Sequence, residues 1–170
     1  MTFLKRTGYT FLILQLCILI GLLLGGILAF PLRLFDDLTL RQTELLYAIV
    51  VTLVIAISLF IAAFKDAYDK KQFGPKLLIG SFILIALVRI PMGLVSEHGG
   101  TIAGCAGYLA NVIFLRESQY YFLTNGIEAL AKTITMLGID LLIYLPSLLL
   151  GGYCGLKKHT NDVEELTGKK

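Results

Sequence analysis

Four stretches of the chain stay apolar for about twenty residues each, and polar residues collect between them. The first runs from about Tyr9 to Phe30 and stops at Pro31, whose ring and missing N–H end a helical ladder. The second runs from about Glu44 to Phe64 and is interrupted only by Thr52 and Ser58. The third, about Leu77 to Val95, carries Arg89 and Pro91; the fourth, about Ile127 to Tyr153, carries Lys132, Asp140 and Pro146. A helix needs roughly 20 apolar residues to cross about 30 Å of hydrocarbon, so the pattern predicts four transmembrane helices. Lipid offers backbone amides no partners, which makes these segments helical. A membrane β-barrel would show apolar and polar residues in alternation, and these runs do not alternate.

The connection between the third and fourth stretches reads "SEHGGTIAGCAGYLANVIFLRESQYYFLTNG". Its portion from Gly99 to Leu115 is apolar but glycine-rich, and short for a span. It is expected to lie in the interface or to re-enter partway from the outer side. Tyr108, Phe114, Tyr120, Tyr121 and Phe122 suit an aromatic belt on that face. The expected fold is therefore all-α and polytopic: four spans (9–30, 44–64, 77–95, 127–153) with an interfacial or re-entrant helix at 99–115. Residues 1–156 form one bundle, and 157–170 form a polar, mobile tail.

Composition agrees with this pattern. The chain is 56% hydrophobic and 16% charged, with a mean hydropathy of +0.80, outside the range of ordinary soluble domains. Charge then sets an orientation. With four spans, Lys5, Arg6, Lys65, Lys70, Lys71, Lys76, Lys157, Lys158, Lys169 and Lys170 share one side, while only Arg33, Arg41 and Arg116 lie on the other. Lys and Arg are retained in the cytoplasm, so both termini are expected there, in a membrane of the bacterial cytoplasmic type. A fifth span would reduce the ratio to seven against six.

Lys5 and Arg6 before an apolar run also resemble a signal peptide. The run exceeds the usual ~7–15 residues, and "ILAFPLRL" lacks a small-x-small cleavage site, so it is read as a retained span. The net charge of +3 comes from loops that favour anionic headgroups, with no need for a nucleic-acid partner.

The residues with candidate chemistry are those that lipid would reject. Arg89 and Asp140 each cost about 2.5–3.5 kcal/mol near the bilayer centre unless partnered. Arg89 lies roughly 9–12 Å below the outer end of its helix and Asp140 roughly 18–20 Å below that of its own, at 1.5 Å of rise per residue. A long arginine spans the difference, so an Arg89–Asp140 ion pair is expected. Lys132 and Glu128 extend a polar stripe toward the outer surface on the same helix, with Thr133 beside them. Such a stripe either fixes helix register or lines a polar cavity for a solute or ion.

Other chemistry is sparse. His98 and Cys105 share the outer loop and form a weak candidate for a Cys–His nucleophile pair. Cys17, Cys105 and Cys154 fall at different depths, and His98 and His159 on opposite sides. No disulfide framework, metal site or cofactor is expected.

Small residues recur every four positions at Gly21, Gly25 and Ala29, and again at Ser147, Gly151 and Gly155. They suit close helix packing, within the chain, with a partner membrane protein or with a second copy. Two functions follow as expectations. The first is a non-enzymatic helical subunit that stabilises or regulates a partner membrane complex. The second is a small transporter or solute-binding component with its site around Arg89, Lys132 and Asp140, open to the outer side.

Overall fold

The computed structural model describes residues 3–29, 31, 40–98, 134–135 and 137–167. Helix α1 spans Phe3–Ala29, α2 spans Leu40–Lys70 and α3 spans Pro75–His98. A π-helical turn, Asp140–Tyr144, leads without a break into α4, Leu145–Thr167. No strand occurs among the described residues.

Three helical segments are long and apolar enough to cross a membrane: Phe3–Gly25, Leu45–Lys70 and Leu137–Leu166. The described apolar part of α3, Pro75–Ile85, is shorter than a span. The proposed segment at 99–115 lies outside the described residues, as do the first residues of the fourth stretch.

The polar ends are more regular than the hydropathy pattern predicts. α1 begins at Phe3, before the apolar stretch, and α2 continues past Phe64 to Lys70. Residues 157–167 of the polar tail continue α4 as helix. No proline or glycine interrupts the chain between Leu156 and Thr167. Lys158 also pairs with Asp162 one turn on, the spacing at which opposite charges support a helix. α2 stops where Lys71 takes a left-handed φ of 56°, and α3 starts on Pro75, whose missing N–H is no loss in a first turn.

Close contacts give the helix directions. Gly21 and Gly25 of α1 pack on Ile55 and Val51 of α2, so these two helices are antiparallel. Gly151 and Gly155 of α4 pack on Phe60 and Phe64 of α2 in ascending order, so α2 and α4 are parallel. Thr7 donates to Ser81 Oγ at 3.1 Å and Phe3 packs beside Gly80, which sets α1 next to the start of α3. α2 is thus the central helix, held between α1 and α4. Leu14, Ile18, Val51, Ile55, Leu59, Phe82 and Tyr144 fill the centre and are almost fully buried.

The outer surface is apolar. Leu45, Ile49, Leu53, Ile57 and Ile61 make an exposed row on α2, and Leu12, Leu16, Leu19 and Leu23 make another on α1. In water such rows would be a liability. In lipid they are solvated.

Candidate functional site

Gly21 and Gly25 of the first predicted small-residue series, and Gly151 and Gly155 of the second, face α2 inside the chain. A Cβ on Gly25 would lie 3.0 Å from Val51 Cα, and Cβ atoms on Gly151 and Gly155 would lie 3.0 Å from the Cα atoms of Phe60 and Phe64. Ser147 donates to the Ile143 carbonyl of its own helix at 2.7 Å. The side chain of Ala29 is outside the described set.

Asp140 is buried, 4% exposed, and is not without an interaction partner. It opens the π turn, in which the Leu145 N–H donates to the Asp140 carbonyl, five residues back. Pro146 supplies the cause. It has no N–H to give the carbonyl four residues earlier, and its ring crowds that carbonyl, so the preceding turn widens.

Of the other predicted residues, Arg89 lies on the described backbone of α3, and His98 ends that helix. Their side chains are outside the described set. Lys132, Glu128 and Cys105 lie outside the described residues altogether. Among the described cysteines, Cys17 is buried and Cys154 half-buried, both as free thiols. No group of His, Cys, Asp and Glu among the described residues is arranged to hold a metal.

A second polar site, not anticipated from sequence, sits at the lysine-rich end of the bundle. Asp66 on α2 has a side chain only 6% exposed. Arg6 Nη1 reaches its Oδ2 at 3.0 Å, Tyr9 Oη donates to its Oδ1 at 2.9 Å, and Lys70 also bonds Oδ1 from one turn further along α2. The Lys70 ammonium lies 4.2 Å from the Tyr9 ring centroid and the Arg6 guanidinium carbon 5.8 Å from it, both within cation–π range. One carboxylate thus serves two cations, and the cluster carries a net positive charge. A cavity of about 10 Å³, lined in part by Arg6, Tyr9, Thr10 and Asp66, adjoins it. That is room for about one water. Thr10 Oγ1 is buried there with no hydrogen-bond partner.

The clue to this site was local. Arg6 and Tyr9 fall on one helical face three residues apart, and Asp66 precedes Lys70 by four. Read as loop charges they indicated only topology.

A third cluster ties α4 to α2. Tyr68 Oη donates to Asp162 Oδ2 at 3.0 Å, Lys158 Nζ lies 2.8 Å from Asp162 Oδ1, and His159 meets the Tyr68 ring edge-on at 5.5 Å. The ring of Tyr68 also continues a stack through Phe64 to Phe60, with centroids 6.3 and 6.4 Å apart.

These arrangements are chemically suited to holding helices in register and to placing charge at one end of the bundle. No protein-family model matches the chain, and no curated protein or solved structure shows significant similarity to it.

Proposed function

We propose that the protein is a four-span, non-enzymatic component of the bacterial cytoplasmic membrane that stabilises or regulates a partner membrane protein, with both termini in the cytoplasm. The observation that carries this reading is the state of α2. It is the central helix, clamped by glycine contacts from α1 and α4, yet it presents an open apolar row at Leu45, Ile49, Leu53, Ile57 and Ile61. A central helix with one open, regular face suits a subunit whose neighbour completes the bundle. The parallel run of α2 and α4 supports four spans, because a single additional crossing between α3 and α4 would reverse α4. The segment at 99–115 then returns to the side it left, as an interfacial or re-entrant helix.

Purification in mild detergent tests the reading. A stoichiometric membrane protein should accompany the wild type and be lost from an Ile49→Ala, Leu53→Ala, Ile57→Ala variant that still folds. Recovery of the wild type alone, at every detergent mild enough to keep it folded, would refute the subunit role.

A second reading, solute or ion binding at Arg89, Lys132 and Asp140, is favoured by the buried Asp140 in its π turn, since intramembrane ionisable groups often mark transport sites. Register supports the Arg89–Asp140 pair itself. Leu78 and Leu148 line the same cavity. Counting outward from them along antiparallel α3 and α4 puts Arg89 about 16 Å away and Asp140 about 12 Å away, at comparable depth. A small molecule copurifying with the wild type and absent from Asp140→Asn would favour this second reading over the first.

A further inference from the structure

The cations at the lysine-rich end fall into two groups. Arg6 and Lys70 share Asp66, and Lys158 pairs with Asp162. Lys5, Lys65, Lys71, Lys76 and Lys157 are exposed, and none has an ion-pair partner among the described residues. They come from every helix: Lys5 from α1, Lys65 and Lys71 from the end of α2, Lys76 from the first turn of α3, and Lys157 from α4. The Arg6–Asp66 and Tyr68–Asp162 contacts hold the ends of α1, α2 and α4 level with one another. The five ammonium groups therefore make a collar where the apolar stretches give out.

Lys71 stands apart from the other four in its backbone. Its φ of 56° is a conformation that glycine adopts more readily than a residue with a Cβ. It closes α2 in the left-handed conformation in which helices commonly end, which sets its ammonium group at the same end of the bundle as the other four.

We propose that this collar binds the headgroups of anionic phospholipids in the adjoining leaflet. Depth selects the partner. The lysines stand at the ends of apolar helices, and their side chains are long enough to carry the ammonium groups to the headgroup level. The acidic pair Glu164 and Glu165 lies two turns further along α4, about 10 Å beyond Lys157 and away from the leaflet. Asp66 is already occupied by Arg6, Tyr9 and Lys70, and the exposed Asp69 on α2 offsets only one of the five lysine charges. Each lysine near an anionic surface strengthens attachment about fivefold. The inference is independent of the partner role above, since it concerns lipid alone.

The test uses the full chain in lipid nanodiscs of phosphatidylcholine with or without phosphatidylglycerol. The thermal midpoint of the wild type should rise with phosphatidylglycerol, and added salt should shrink the gain. A variant with all five lysines changed to glutamine should keep its midpoint in phosphatidylcholine and lose the gain. Lys71→Gly should do two opposite things: raise the midpoint in phosphatidylcholine, because strain is relieved, and reduce the gain from phosphatidylglycerol. This single variant decides the matter if the fivefold variant does not fold. An equal gain in wild type and Lys71→Gly, with the fivefold variant either unchanged or unfolded, overturns the proposal. So does an equal rise produced by inorganic phosphate in neutral nanodiscs, which would assign the collar to a free anion.

Discussion

Gly151 of α4 packs on the backbone of Phe60 in α2, at a distance where an added Cβ would come 3.0 Å from the Phe60 Cα. Four residues on, Gly155 stands in the same relation to Phe64, and after another four His159 meets Tyr68. The two helices therefore run parallel in one register for more than two turns. Lipid supplies no hydrophobic drive between helices, so their attraction rests on close approach and dispersion. Glycine permits that approach, and the rings of Phe60, Phe64 and Tyr68 stack along the α2 side of the seam.

A methyl group on this seam should force the helices apart. Gly155→Ala is expected to cost about 1–3 kcal/mol, the range for overpacked cores. Gly8 has no atom within 4 Å of where a Cβ would stand, so Gly8→Ala should be neutral or gain up to about 1 kcal/mol from helix propensity. Thermal midpoints of both variants in one detergent compare the two effects. Equal midpoints would mean that the α2–α4 seam is looser than described.

The Asp66 cluster makes a graded prediction. Asp66→Ala leaves the part-buried Arg6 guanidinium without its carboxylate, and removing one partner of a buried pair costs about 3–5 kcal/mol. Lys70 is half-exposed, so Lys70→Ala should cost no more than about 1 kcal/mol. Tyr9→Phe removes one hydrogen bond to a charged acceptor, about 1.5–3 kcal/mol. Denaturation of the three variants should rank them Asp66, Tyr9, Lys70, and a Lys70 effect as large as that of Asp66 would contradict the assignment.

The sequence revealed the helices because lipid enforces long apolar runs, and it revealed the glycine series because close packing needs small residues. It did not reveal their partners. A small residue every fourth position marks a seam without naming the opposite face, although Phe60, Phe64 and Tyr68 repeat at the same spacing. The Asp66 cluster was hidden for a different reason. Its residues are sixty apart in the chain, and a charge at the end of a span reads first as a topology signal. Asp140 was legible because an acid inside an apolar run has few explanations. Its expected counter-ion, Arg89, followed from depth alone, because helix periodicity fixes a face only relative to its own helix.

Topology has its own test. Cysteine labels placed at Lys70 and at Asn161 should be protected from an impermeant reagent in intact cells, while one at Gln119 should react. The ten-to-three distribution of cations and the parallel course of α2 and α4 both lead to that outcome. A protected Lys70 with a reactive Asn161 would place α4 in the opposite sense and restore a fifth span between α3 and α4.

The last prediction concerns Arg89 and Asp140. Asp140 is buried, and its backbone is held by the π turn that Pro146 imposes. If Arg89 is its counter-ion, Arg89→Leu leaves a buried carboxylate and Asp140→Leu a buried guanidinium, each costing about 3–5 kcal/mol. Changing both to leucine removes both uncompensated charges and should recover most of the folded yield, as replacement of buried pairs by apolar residues often does. The yields of the two single variants and the double variant form a thermodynamic cycle. Additive losses would show that the two residues do not meet, and Lys132, eight residues earlier in the sequence, would be the next counter-ion to test. Recovery of yield without recovery of copurifying partner or solute would locate function, and not only helix register, at this pair.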